Sequence, residues 1–115
     1  MPDPIYKIAE REIWEAARAA GRLDGTAVDR ADGYIHFSTA AQLRETLDKH
    51  YAGRTGLVLA TVDPDALGEA LRWEPSRGGA LFPHLYAPLG MEAVIAERML
   101  DARADGGFDL PEARP

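Results

Sequence analysis

The sequence predicts an α+β fold built on a mixed or mainly antiparallel sheet. Two observations carry this. Strand-like and helix-like segments alternate as far as Val62, and the chain then continues as short strands with no further long helix. At 115 residues, 46% hydrophobic and 28% charged, there is material for one domain with one sizeable core. The expected domain spans residues 1–110, with 111–115 as a tail.

Ile5-Tyr6-Lys7-Ile8-Ala9 is rich in strand formers and follows a proline, so it reads as the first strand. Glu10 to Ala20 reads as a helix, with Ile13, Ala17 and Ala20 on one face and Trp14 beside them. Gly21 is placed to stop it. Residues 22–33 are polar and end in the turn pair Asp32-Gly33, which reads as a loop. Tyr34 to Ser38 is the second strand. Thr39-Ala40-Ala41-Gln42 matches a capping box and opens a helix to about His50 or Tyr51, with Leu43, Leu47 and Tyr51 on one side and Gly53 at its end.

Leu57 to Val62 is an unbroken apolar run of strand length, as expected of a central strand buried on both faces. Asp63-Pro64-Asp65 interrupts it and leaves room for a single helical turn. Leu71-Arg72-Trp73-Glu74 alternates, with Leu71 and Trp73 on one face and Arg72 and Glu74 on the other. Pro75 to Ala80 contains Gly78-Gly79 and reads as a mobile loop. Phe82 to Tyr86 is extended. Met91 to Leu100 fits a strand, because Val94 and Ile95 are β-branched and a glycine precedes the run. Residues 101–115 read as a polar tail pinned by Phe108 and Leu110.

Composition narrows the chemistry. The absence of cysteine excludes disulfides, a thiol nucleophile, cysteine-ligated zinc and iron–sulfur clusters. A net charge of -6 argues against general nucleic-acid binding or a polybasic membrane anchor. No apolar stretch has transmembrane length, and the first residues lack a signal-peptide pattern, so a cytoplasmic protein is expected. There is no phosphate loop, G-x-G-x-x-G, H-E-x-x-H or nucleophile elbow, and no spacing that marks a metal site.

Two segments carry candidate chemistry. In Tyr34 to Ser38, His36 and Ser38 share a strand face, roughly 6.6 Å apart, where a helix begins. Free N–H groups and the positive dipole end of that helix suit a phosphate or other anion, and His36 and Ser38 aimed there suit phosphate or ribose hydroxyls. The structural alternative is that Ser38 or Thr39 caps the helix, Gln42 closes the box and His36 is a satisfied interior residue. In Phe82 to Tyr86, His84 and Tyr86 share a face. Histidine moves protons near neutral pH, and tyrosine offers a hydroxyl and a stacking ring. The alternative makes Phe82, Leu85 and Tyr86 core, with His84 at their edge. The Gly78-Gly79 loop would cover a ligand. Glu74 either pairs with Arg72 or serves the pocket as a carboxylate. Tyr6 and Lys7 point to opposite faces, so at most one of them should face a cleft. His50 complements the end of its helix.

At these segments the chain resembles a bacterial family known as domain of unknown function 952. The shared features are Tyr6-Lys7-Ile8, Gly33 to Ser38 with Gln42, Trp73-Glu74, and Phe82 to Tyr86, over about residues 4–110. Ala87 stands where the family tends to have glycine. That family is similar in fold to the ADP-ribosyltransferases, which implies two small splayed sheets with two main helices around a cleft for NAD. The resemblance implies His36, His84, Tyr86 and Glu74 as catalytic candidates, with Glu74 standing for the late carboxylate. Ser38, Thr39, Gln42 and Lys7 are the ligand-binding candidates. The expected activity is that of a small enzyme on NAD or an ADP-ribose-like or phosphorylated nucleotide, with NAD as substrate and no resident cofactor. The alternatives are a non-catalytic module for a small anion or nucleotide, and an interaction domain whose histidines are structural.

Overall fold

A computed structural model describes residues 3–102 and 108–109. In chain order the elements are β1 (Ile5–Glu10), α1 (Arg11–Ala20), β2 (Arg22–Leu23), α2 (Ala27–Asp32), β3 (Ile35–His36), α3 (Ala40–His50), β4 (Leu57–Val62), β5 (Leu71–Pro75), β6 (Leu81–Leu85), β7 (Leu89–Gly90), β8 (Val94–Ala102) and β9 (Phe108–Asp109). Short 3₁₀ turns lie at Pro64–Ala70, Arg77–Gly79 and Met91–Ala93.

The strands form three sheets, in the orders β1-β4-β8-β9, β2-β7 and β3-β6-β5. Every pairing among the described residues is antiparallel. The α+β class therefore holds. Where two mixed or antiparallel sheets were expected, there are two larger antiparallel sheets and a two-stranded ribbon.

Within the four-stranded sheet β4 is buried on both faces, which is why its run is apolar apart from Thr61. Ile5, Ala9, Val58, Ala60 and Val62 pack with Trp14 and Ala17 of α1 and with Ile35, Phe37 and Leu85. Ile8, Leu57 and Leu59 point the other way, onto Leu43 and Leu47 of α3 and onto Leu100 and Phe108. Period-two alternation thus sends neighbouring residues into two different clusters.

The helix ends follow their local signals. Gly21 closes α1 at φ 87 and bonds back to Ala17 and Arg18. Thr39 and Gln42 form the expected box at the start of α3, whose C-cap is Tyr51 rather than Gly53.

Other expectations are corrected. Residues 22–33 are not a loop. They hold β2 and the six-residue helix α2, opened by a second capping box between Thr26 and Asp29. Pro75 to Ala80 is not an open loop but a tight hairpin turn joining β5 and β6. Its bonds run from Ser76 N–H to the Ala80 carbonyl (2.9 Å) and from Gly79 N–H to the Ser76 carbonyl (3.0 Å). Gly78 and Gly79 both take positive φ there, which favours glycine. The break after β4 runs to seven residues instead of one turn. Met91 to Leu100 begins as a 3₁₀ turn and becomes strand only at Val94. The expected tail from 101 is corrected: 101–102 end β8 and Phe108–Asp109 form β9, with Phe108 the expected pin, fully buried against α3's side of the sheet; Leu110 and residues 111–115 lie outside the described residues. No described helix is long and apolar enough to cross a membrane.

Phe108→Ala should cost about 3–5 kcal/mol in urea denaturation, as for a buried aromatic truncation. Ile95→Ala, on an exposed strand position, should stay within about 0.5 kcal/mol. Equal effects from the two would contradict this division between core and surface.

Candidate functional site

The three-stranded sheet turns Ile35, Phe37 and Leu85 into the core. Alternation then sends the intervening residues outward. Tyr34 and His36 come from β3 and the residue before it, His84 and Tyr86 from β6 and the residue after it, and Arg72 and Glu74 from β5. The register pairs His36 with His84 and Arg72 with His84, so the six side chains share one face. Tyr34 lies at the centre. Its ring stacks on His84 (centroids 4.1 Å apart, 26° between planes) and approaches His36 (4.7 Å) and Tyr86 (5.3 Å).

Glu74 Oε1 accepts two hydrogen bonds of 2.8 Å, from His84 Nδ1 and from the Tyr86 hydroxyl. Those bonds, His84's first, hold the Glu74 carboxyl below the usual carboxylate range. The same bond raises the Tyr86 hydroxyl, and burial, with the charges of Asp32 and Glu74, raises that of Tyr34. Arg72 lies over the Tyr86 ring, 5.4 Å from its centre. The groups at the surface of this cluster are thus a lasting carboxylate, a protonated phenol that is 45% exposed, and the partly exposed His36. His84 is only 3% exposed and sits beneath Tyr34.

His36 is held from below by a buried carboxylate that the sequence reading missed. Asp29 Oδ1 accepts from His36 Nδ1 (2.6 Å), from His36 N–H (3.1 Å) and from Lys7 Nζ (3.0 Å). Asp29 Oδ2 accepts from Thr26 N–H (2.9 Å) and faces Lys7 Nζ at 2.7 Å. Lys7 also donates to the His36 carbonyl at 3.0 Å. Burial pushes the Asp29 carboxyl up, but the His36 bond, the Lys7 charge and the Thr26 N–H together hold it well below the usual carboxylate range. Burial pulls the Lys7 ammonium down against the attraction of Asp29. On its outer side His36 Nε2 meets Asp32 at 2.9 Å. Both ring nitrogens thus face carboxylate oxygens.

Four candidates, His36, His84, Glu74 and Tyr86, therefore converge on one face. His84, expected to act on substrate, is corrected to a buried residue that positions Glu74. Glu74, read as either Arg72's partner or a pocket carboxylate, bonds to His84 and Tyr86. Ser38 leaves the cluster. It forms a backbone bridge with Tyr6, and its hydroxyl bonds to Thr46 at 3.0 Å. Thr39 and Gln42 are engaged in their own capping box, and Gln42 also donates to the Leu81 carbonyl at 2.8 Å, so the expected ligand role of both gives way to a structural one. Lys7 is likewise consumed by its pairing. Lys7, Ser38 and His36 line a separate cavity of about 260 Å³ along the edge of β1. Tyr6 lines it too, so both Tyr6 and Lys7 face one cavity, because it opens at the strand's edge and not over a sheet face. No described group of three or more histidine, aspartate or glutamate residues could hold a metal ion. Asp29 was legible as Thr26-x-x-Asp29, the same capping-box signal read at Thr39, and Tyr34 as the residue two before His36 on a strand.

Residues 8–97 match the family described as Protein of unknown function (DUF952), and the chain belongs to that family. It is similar to the crystal structure of protein CC0527 from Caulobacter crescentus, with a TM-score of 0.89 and 52% identity over 92% of this chain and 93% of that one. The solution NMR structure of CC0527 gives a TM-score of 0.82 and 53% identity over 90% of each chain. Comparison with curated proteins returns no match.

Lys7→Met leaves Asp29 buried without its ammonium and should cost about 3–5 kcal/mol in chemical denaturation; a loss under about 1 kcal/mol would show that the pair does not hold these elements. Asp29 also sets an acid limit. Its folded carboxyl titrates below the unfolded value of about 3.9, so its contribution is complete above that value and is lost as pH falls further. Stability measured from pH 6 down to pH 2 should therefore fall more steeply for the native protein than for Asp29→Asn. Parallel curves would contradict the assignment.

Proposed function

We propose that this DUF952 protein is a small cytoplasmic enzyme acting on NAD or an ADP-ribose-like nucleotide, with the outer face of the three-stranded sheet as its reacting surface. The observation that carries the reading is Glu74, ionised and held by His84 and Tyr86, partly exposed on the sheet face it shares with Tyr34, His36 and Arg72. A carboxylate whose proton affinity is lowered makes a poor base and a good fixed anion. It is suited to stabilising positive charge that develops on a ribose ring.

In such a step the bond from the ribose anomeric carbon to nicotinamide breaks, and the leaving nitrogen keeps the electron pair. Water or an acceptor hydroxyl supplies the new bond to carbon and releases its proton to solvent. Tyr34 and Tyr86 supply ring faces for the substrate, and Arg72 supplies positive charge for a phosphate. His36, bonded through Nε2 to the exposed Asp32 carboxylate, positions Asp32 as an acceptor for ribose hydroxyls. His84 is a positioning residue that fixes Glu74. The expected kinship in fold with the ADP-ribosyltransferases belongs to the same reading.

A second reading, a nucleotide-binding module without turnover, is favoured by one observation: both histidines spend Nδ1 on carboxylates, and His36 spends Nε2 as well.

The test is nicotinamide release from NAD by the native protein and by Glu74→Gln, His36→Ala and His84→Ala. The enzyme reading expects turnover that falls at least a hundredfold in Glu74→Gln, on the scale of losing one electrostatic stabiliser. Background rates in all four would exclude it. Thermal stabilisation by NAD or ADP-ribose without turnover, about 2.7 kcal/mol at a hundred times the dissociation constant, would select the binding module.

A further inference from the structure

The cavity along the edge of β1 shares only His36 with the sheet-face cluster. At about 260 Å³ it lies just under the roughly 300 Å³ at which pockets for drug-sized ligands begin. It has room for one ring and not for a dinucleotide.

Its lysine, arginine and carboxylate charges cancel in pairs, and His36 and His50 are the other titratable groups on the wall. At the floor Lys7 meets Asp29 at 2.7 Å, both nearly fully buried. At the rim Arg54 meets Glu10 at 2.8 Å, and that bond holds the Glu10 carboxyl low. A charged ligand would have to break one of these pairs, so the cavity is matched to a neutral one. Its remaining polar surface is mainly hydroxyl. Ser38 and Thr46 present a bonded hydroxyl pair, and Tyr51 also lines the cavity. Burial, with the nearby charges of Glu10 and Asp29, raises the Tyr51 hydroxyl, so it keeps its proton and donates. Arg54 over the Tyr51 ring, 5.3 Å from its centre, fixes that ring in place. Ile8, Phe37 and the ring of Tyr6 supply an apolar wall, and Val28 stands exposed at the mouth. A wall that mixes hydroxyl donors and acceptors with ring and alkyl surface, its lysine, arginine and carboxylate charges paired, matches a ring with hydroxyls on its edge and C–H groups on its faces.

We propose that this cavity binds a single neutral hydroxylated ring, of the class of a monosaccharide or cyclic polyol. The site is separate from the reacting surface proposed above and stands without it.

The experiment titrates the native protein, labelled with nitrogen-15, with D-ribose, D-glucose, myo-inositol and ribose 5-phosphate, and follows backbone amide shifts. A saturable shift centred on Ser38, Thr46 and Tyr51 is expected with at least one neutral probe. A response to ribose or glucose would assign a sugar, and a response to inositol alone a cyclic polyol. Ser38→Ala and Tyr51→Phe should each weaken binding about fivefold, the scale of one hydrogen bond. Ala27→Trp, at an exposed first position of α2 on the cavity's lining, should abolish binding while the melting temperature is unchanged. Glu74→Gln should leave binding as it is, so failure of this site and failure of the NAD reading are read separately. The proposal is overturned if no neutral probe produces a saturable shift. It is equally overturned if only ribose 5-phosphate does, or if the shifts fall on Tyr34 and Tyr86 and survive Ala27→Trp.

Discussion

Lys7 lies between Ile5 and Ala9 on the face of β1 that packs into the larger core cluster. An ammonium placed there loses its hydration, a penalty of several kcal/mol that only a well-bonded counterion offsets. Asp29 is that counterion, and it does more than neutralise a charge. Its two oxygens also take the N–H that opens α2, the N–H of His36 and the His36 ring. One buried carboxylate thereby joins β1, α2 and β3. A six-residue helix and a two-residue strand have little stability of their own. Their place in the fold rests on this hub and on the apolar contacts of Ile35 and Phe37.

The candidate site inherits its geometry from the same constraint. With β3 fixed against β1 through Asp29, and through the backbone bridge between Tyr6 and Ser38, its register with β6 brings His36 opposite His84. The inner faces of Ile35 and Leu85 are anchored in the core. Tyr34, His36, His84, Tyr86 and Glu74 have only the outer face left to them. The histidines end in different settings for a simple reason: Tyr34 covers His84 and leaves His36 partly open. Glu74 then becomes the accessible charge, with His84 as its support.

Much of this was readable locally. Helices α1 and α3 announce themselves through glycine or capping signals, and β4 through its unbroken apolar run. The pairing of His36 with Tyr34, and of His84 with Tyr86, follows from strand alternation. Helix α2 carries the same kind of box as α3, yet six residues give too little periodicity to stand out among polar neighbours. The hairpin at Ser76 to Ala80 looked mobile because glycines mark both flexible and tightly turned backbone, and only the bonds across the turn separate the two. Strand alternation places Ser38 with His36, but the regular strand stops at His36 and Ser38 pairs with β1 instead.

By itself the sequence determined the fold class, the caps at Gly21 and Thr39, the buried central strand and the two histidine segments, because these depend on residues within a few positions of one another. Tertiary structure alone decided that Lys7 is spent on Asp29, 22 residues away, that Glu74 answers to His84 and Tyr86, and that Ser38 faces a cavity of its own. Those outcomes depend on which strands lie side by side and in what register. Burial then makes the choice, since a buried charge must find its partner wherever the chain returns to meet it.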